Sequence, residues 1–158
     1  MFRKMRRFKQ AVPEEECKKI LTEEKRGAFS VIGDNGYPYT IPINFYYDET
    51  DNRIYFHGAK EGHKVSAITN CNKVCFTTWN TGFKKEGHWE WNVTSVIVFG
   101  RAKLIDDREL TEDKLRKLAL KYYPTREEVE EGLARSIDRV QLFAIDIEYM
   151  TGKLVNEK

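Results

Sequence analysis

Between Ala28 and Ile105, short runs rich in aromatic and β-branched residues are cut at close intervals by turn residues. A chain patterned this way folds through antiparallel hairpins. Ala28–Ile32 is a short apolar run, and Asp34-Asn35-Gly36 behind it is a strong turn signal. Tyr37–Tyr47 continues as a strand, but Pro38 and Pro42 interrupt its ladder, which marks an edge, a bulge or a ligand-facing stretch. Asp48–Asn52 reads as a second hairpin loop and Arg53–His57 as a third strand. At Gly58 the pattern changes: Ala59–Lys64 leads into a short helix carrying Val65 and Ile68, which Asn70 and Asn72 close. Lys73–Trp79 is a fourth strand. After a polar loop ending in Gly87-His88-Trp89-Glu90-Trp91, Asn92–Ile105 is a long fifth, with Gly100 placed for a bulge.

Helical patterns flank this block. Pro13 followed by three glutamates opens a helix in which Cys17, Ile20, Leu21 and Glu24 recur at helical spacing, and Gly27 is expected to stop it. Leu115, Leu118, Ala119 and Tyr122 form an i, i+3, i+4, i+7 face ended by Pro124. Val129, Leu133 and Ile137 mark another helix, and Val140–Ile147 is a closing strand. The expectation is an α+β fold, an antiparallel barrel with peripheral helices. It forms one domain over 1–158, with a basic arm at 1–12 and a helical insertion at 107–137 before the last strand.

Charge excludes several roles. Lys and Arg total 27 against 25 Asp and Glu, so a net charge of +2 gives no general case for nucleic acid. The exception is Arg3, Lys4, Arg6, Arg7 and Lys9, an arm suited to an anionic lipid, a nucleic acid or a phosphorylated ligand, and equally to plain solvation. Gln10–Glu16 is too polar to follow it as a secretory signal, and no apolar run is long enough to span a bilayer. Cys17, Cys71 and Cys75 are odd in number and contain no CxxC pair, which points to reduced thiols and a cytoplasmic setting. Cys71 and Cys75 with His57 or His63 match no structural zinc spacing, so no metal is expected.

The segment richest in chemistry is Ile54–Lys64. A strand delivers the chain to a glycine-containing turn that opens a helix, with Lys60 and Lys64 beside it. Free N–H groups at such a helix start favour a phosphate, and Gly58 and Gly62 permit close backbone approach. A tight strand-to-helix connection with surface lysines has the same pattern.

Three stretches together resemble the flavin-binding split-barrel superfamily, in the branch near nitroimidazole-resistance and pyridoxamine-phosphate-oxidase-like proteins. They are Gly36-Tyr37-Pro38-Tyr39 leading to Pro42-Ile43-Asn44-Phe45, then Phe56-His57-Gly58-Ala59 through Gly62-His63-Lys64 to Ile68, and Ser95 to Ala102. The resemblance implies a six-stranded antiparallel split barrel of Greek-key form, a homodimer, and flavin mononucleotide (FMN) held at the subunit interface. It puts His57, Lys60, Gly62, His63 and Lys64 near the phosphate. Thr40, Pro42, Ile43 and Asn44 would run beside the isoalloxazine ring, with Ser95 approaching from the long strand of the same or the other subunit; Trp91, in the loop before that strand, is a further candidate to contact the cofactor. Tyr39–Tyr47 contains no Arg or Lys, unlike the second strand of true pyridoxamine-phosphate oxidases, which argues against that substrate.

Trp79, Trp89 and Trp91 can stack on a flavin or fill an interface, and His88 can donate a proton or face solvent. No G-x-S-x-G, HExxH, Walker or Rossmann pattern occurs, and flavin chemistry requires none. The leading expectation is an FMN-dependent oxidoreductase of a small organic substrate, with nitroaromatic compounds among the candidates, using NAD(P)H, its catalytic residues unassigned. The alternatives are a flavin- or haem-binding protein for storage, sensing or transfer, and a barrel without ligand that serves interactions alone.

Overall fold

In the computed structural model, which describes residues 1–156, eight strands and four helices form the fold. In chain order they are β1 (Ala11–Val12), α1 (Glu14–Glu23), β2 (Arg26–Ile32), β3 (Pro38–Asn44), β4 (Tyr46–Asp48), β5 (Arg53–Ala59) and α2 (His63–Asn70). Then follow β6 (Lys73–Trp79), β7 (Asn92–Ile105), α3 (Arg108–Leu120), α4 (Arg126–Ser136) and β8 (Val140–Asn156). All pairings are antiparallel in the order β3-β2-β6-β7-β8-β5-β4, with β1 on the far part of β8. Because β3 and β4 adjoin in sequence, the two ends of this curled sheet are one piece of chain that turns a corner at Phe45.

The antiparallel α+β class is as expected, and the strand count differs for local reasons. The single strand expected over Tyr37–Tyr47 is broken at Phe45 into β3 and β4. The closing strand, expected over Val140–Ile147, runs on to Asn156, and Gly152 within it serves close packing. A Cβ there would lie 2.4 Å from Cys17 Sγ and 2.6 Å from Val12. Gly27 does not stop α1, which ends at Glu23. It sits inside β2, where a Cβ would come within 2.3 Å of the Phe76 ring. At Gly100 the expected bulge is present as a register shift between β7 and β8.

Strand alternation sends Phe29, Phe56, Phe76 and Phe143 into the barrel together with Val96, Val98 and Ile145, all fully buried. Phe45, at the corner, is buried with them and meets Phe76 edge-on. α1 covers one side with Cys17, Ile20 and Leu21, and α2 another with Ala67 and Ile68. A second, smaller core lies outside the barrel wall, where Leu115 and Leu118 of α3 and Val129 and Leu133 of α4 pack on Tyr55, Leu142 and Ala144. It is completed by a buried ion pair: Lys114 of α3 reaches Asp48 at 2.7 Å and Asp51 at 3.1 Å on the β4–β5 hairpin.

Candidate functional site

The β2–β3 register places Thr40, Pro42 and Asn44 on the outer face of the sheet, opposite Ser30, Ala28 and Arg26. Ser30 and Thr40 share a 2.8 Å hydrogen bond, and Arg26 Nε donates to Asn44 Oδ1 at 3.3 Å. Ile43 is the exception among the strand residues expected to meet a ligand. Alternation turns its side chain inward, where it is 9% exposed and part of the core, and its main chain, paired with Gly27, faces β2. β3 ends the sheet, and half of its N–H and C=O groups therefore point away from β2, unpaired by any strand.

β4 pairs Tyr46 with Tyr55 and Asp48 with Arg53. If that register continued past Phe45, Asn44 would meet His57 and Ile43 would meet Gly58. No such ladder forms among the described residues, because β3 leaves the barrel wall to pair with β2. The unpaired edge of β3 and the His57–Ala59 end of β5 thus flank a gap in the ladder, a slit with the turn into α2 at one end. His57 keeps a solvent-accessible rim, but crowding by its surroundings and the nearby Lys64 ammonium hold its pKa below the usual range.

Lys64 is the most telling side chain here. Its Nζ lies over Gly58, 4.8 Å from the Phe143 ring centre and 5.4 Å from that of Phe56, and a Cβ at Gly58 would be 2.7 Å from it. Among the described residues no carboxylate pairs with it, and burial pulls its pKa down. Gly62, immediately before α2, has φ +127° and ψ 178°, a conformation that is nearly glycine-only. It leaves the first turn of the helix open, with no side chain capping it.

The other expected residues disperse. His63 turns away from the mouth: its ring stacks on Tyr39 at 4.2 Å between centres, and its Nε2 accepts the Asp34 N–H at 3.3 Å. It pins α2 to the β2–β3 hairpin, a role its place in the motif did not suggest. Lys60 is exposed and also borders a groove of about 360 Å³ against Arg108 and Gln141. Ser95 faces outward on β7 beside Trp79 of β6, but three strand spacings, roughly 14 Å, separate it from β3 within one chain. Trp91 lies before β7 in the loop, with the Lys84 ammonium 5.1 Å from its ring centre. His88 contacts Glu90 at 3.1 Å rather than standing free.

Two features escaped the sequence reading. Arg26 joins the outer face next to Asn44, a consequence of hairpin register about the Asp34–Gly36 turn. Beside it an apolar patch spreads over neighbouring strands, with Trp79 at 55%, Ile97 at 41% and Phe99 at 39% exposure. Phe2 of the basic arm stacks on its margin against Phe99 and Tyr149. No helix among the described residues is long and apolar enough to cross a membrane.

The family described as pyridoxamine 5'-phosphate oxidase matches residues 13–154. A comparison with curated proteins finds no match. Among solved structures, one similar fold is that of a Bacteroides thetaiotaomicron protein described as a 5-nitroimidazole antibiotic resistance protein. It has a TM-score of 0.77 and 21% identity, covering 92% of this chain and 87% of that one. A FAD-binding protein from Mesorhizobium loti gives 0.67 and 22%, covering 92% and 96%. A FAD- and haem-binding protein from Mycobacterium smegmatis gives 0.73 and 16%, covering 94% and 74%. At these identities the likeness is one of fold.

Proposed function

The chain belongs to the pyridoxamine 5'-phosphate oxidase family, and from that premise we propose that it binds FMN in the slit between β3 and β5 and serves as an oxidoreductase. The observation that carries this reading is the Lys64 ammonium, half-buried over two aromatic rings at the mouth of the slit, with no carboxylate among the described residues to neutralise it. A desolvated cation beside an open, glycine-led helix start suits a phosphate. The residues present fit the group. Lys64 and the first N–H groups of α2 would hold the phosphate, with His57 close by and Gly62 allowing the approach. The free edge of β3 at Thr40–Asn44 would hydrogen-bond the ring edge, and Arg26 would stand near its polar end.

Bound flavin would supply the electron transfer between NAD(P)H and a small organic acceptor, a nitroaromatic compound among the candidates. The chain's own residues would bind and orient it. Pro38 and Pro42 keep the β3 edge from taking another strand and leave it free for a ligand. The outward patch of Trp79, Ile97 and Phe99 suits burial against a second copy of the chain. In such a dimer the partner's Ser95 and Trp91 would complete the site, which answers their distance from β3 in one protomer. Similar folds that bind FAD or FAD and haem support a flavin in general.

Replacing Lys64 by alanine tests the phosphate assignment. Titration with FMN and with riboflavin should show FMN affinity falling by roughly tenfold to a hundredfold, the scale of a lost charge-assisted bond, with riboflavin unchanged. Equal affinity of wild type and variant for FMN would reject the placement.

A further inference from the structure

At the corner between β3 and β4, Phe45 belongs to neither strand, so its backbone groups have no ladder partner, yet its ring is fully buried. Buried N–H and C=O groups require partners. Here they come from the helical insertion, for which the sequence suggested no role. Tyr122, just past α3, accepts the Phe45 N–H at 2.9 Å, and its hydroxyl also faces the carbonyls of Phe45, at 2.9 Å, and of Lys25. Lys121 Nζ donates to Phe45 O at 3.1 Å and to Glu24 O, and stands 4.2 Å from the Phe45 ring centre. Two side chains thus bind the corner and the segment that leads from α1 into β2.

The spacing of these contacts is not incidental. Lys114 and Lys121 are seven residues apart, two turns, so they share one face and lie about 10.5 Å apart along the helix axis. Their targets, Asp48 and Phe45, are three strand residues apart, about 10 Å. The C-terminal part of α3 and the two residues after it are therefore tied at two points: to the hairpin through Lys114 and to the corner through Lys121 and Tyr122. The Phe45 corner is where β3 departs from the course that would pair it with β5, which makes it the closed end of the slit.

We propose that Lys121 and Tyr122 are positioning residues: by gripping Phe45 they hold β3 away from β5 and keep its free edge open as the wall of the flavin slit. The assignment rests on the flavin reading for its functional half and on the Phe45 contacts alone for its structural half. The Lys121 ammonium, bonded to two carbonyls against a ring, with the charges of Glu24 and Lys25 acting on it, is a group retained despite the desolvation it suffers.

Tyr122→Phe removes the hydroxyl and strands the Phe45 N–H. Native-state amide exchange at Phe45 should accelerate by about tenfold or more, beyond any change at Val98 in the β6–β7 ladder. FMN and riboflavin affinity should fall by the same factor, because the ring wall moves while the phosphate site does not, in contrast to Lys64→Ala. Lys121→Met, which keeps the hydroxyl, serves if Tyr122→Phe does not fold, with the same two readouts. Unchanged Phe45 exchange overturns the clamp. Faster exchange with both flavin affinities intact overturns its positioning role. If the wild type binds neither flavin, the flavin reading fails by itself, and Phe45 exchange still decides whether the corner is held by these two residues.

Discussion

Replacing Lys114 with methionine breaks the other tie of α3, and its effect can be worked from the geometry. Lys114 and Asp48 are 6% and 4% exposed along their side chains and 2.7 Å apart, while Asp51, the second acceptor at 3.1 Å, is 29% exposed. Methionine preserves most of the buried stem, so little cavity forms and the change is mainly electrostatic. Removing one member of a buried pair costs about 3–5 kcal/mol, because the survivor keeps a charge without compensation. Asp48 retains the Thr50 amide and hydroxyl as donors at 3.0 and 2.6 Å and the Lys117 ammonium at 3.8 Å, which favours the lower end, about 3 kcal/mol. For a chain of this length that lowers Tm by roughly 6–12 °C. Thermal and urea unfolding of the Lys114→Met, Asp48→Asn and double variants at neutral pH would measure it. The double variant should be less destabilised than the sum of the singles by at least about 1 kcal/mol. Burial alone would raise the Asp48 pKa, but hydrogen bonds from Lys114 and Thr50 outweigh it and hold the carboxyl well below the usual range. Its stabilisation is therefore fully present above the unfolded value near pH 4 and is lost as acid titrates the lower folded one. A loss under about 1 kcal/mol for Lys114→Met, or strict additivity, would refute the account of a buried, coupled pair.

Two further outcomes follow from other parts of the molecule. Trp79→Glu places a charge in the outward apolar patch and should abolish, without unfolding the chain, the dimer proposed through that patch, as read by light scattering; a dimer of undiminished affinity would move the interface elsewhere. Burial lowers the Lys121 pKa to about 8, so an NMR titration of its side chain should have a midpoint there. Between that pH and the unfolded value of about 10.4 the unfolded chain holds a proton the folded chain has released, so this group's contribution to stability rises with pH in that window. A midpoint near 10.4 would mean that the ammonium is solvated and the corner open.

The hairpins were legible because their causes are local. Asp34-Asn35-Gly36 turns β2 into β3, and alternation in Val74, Phe76, Val96 and Val98 fixes which face is buried. The two ends of β8 differ in this respect. Leu142–Ile145 reads as a strand by its apolar run, whereas Tyr149–Asn156 contains Gly152, whose place is set by α1 packing above it. The break at Phe45 was hidden for the same kind of reason. Nothing in Tyr37–Tyr47 marks it, since its cause lies some 76 positions later in Lys121 and Tyr122. In the site, Lys64 and Gly62 stand where a strand–turn–helix motif puts them. His63 and Ile43 do not meet the ligand surface as expected, one captured by Tyr39 and Asp34 and the other turned inward by strand parity.

The most direct test of the central claim is the visible absorption spectrum of the purified protein after incubation with FMN and removal of the excess by gel filtration. The account predicts a retained two-banded flavin spectrum, one flavin per protomer, eluting with a dimer. A colourless protein that rejects FMN would contradict it, and an intense Soret band would assign the barrel to haem instead.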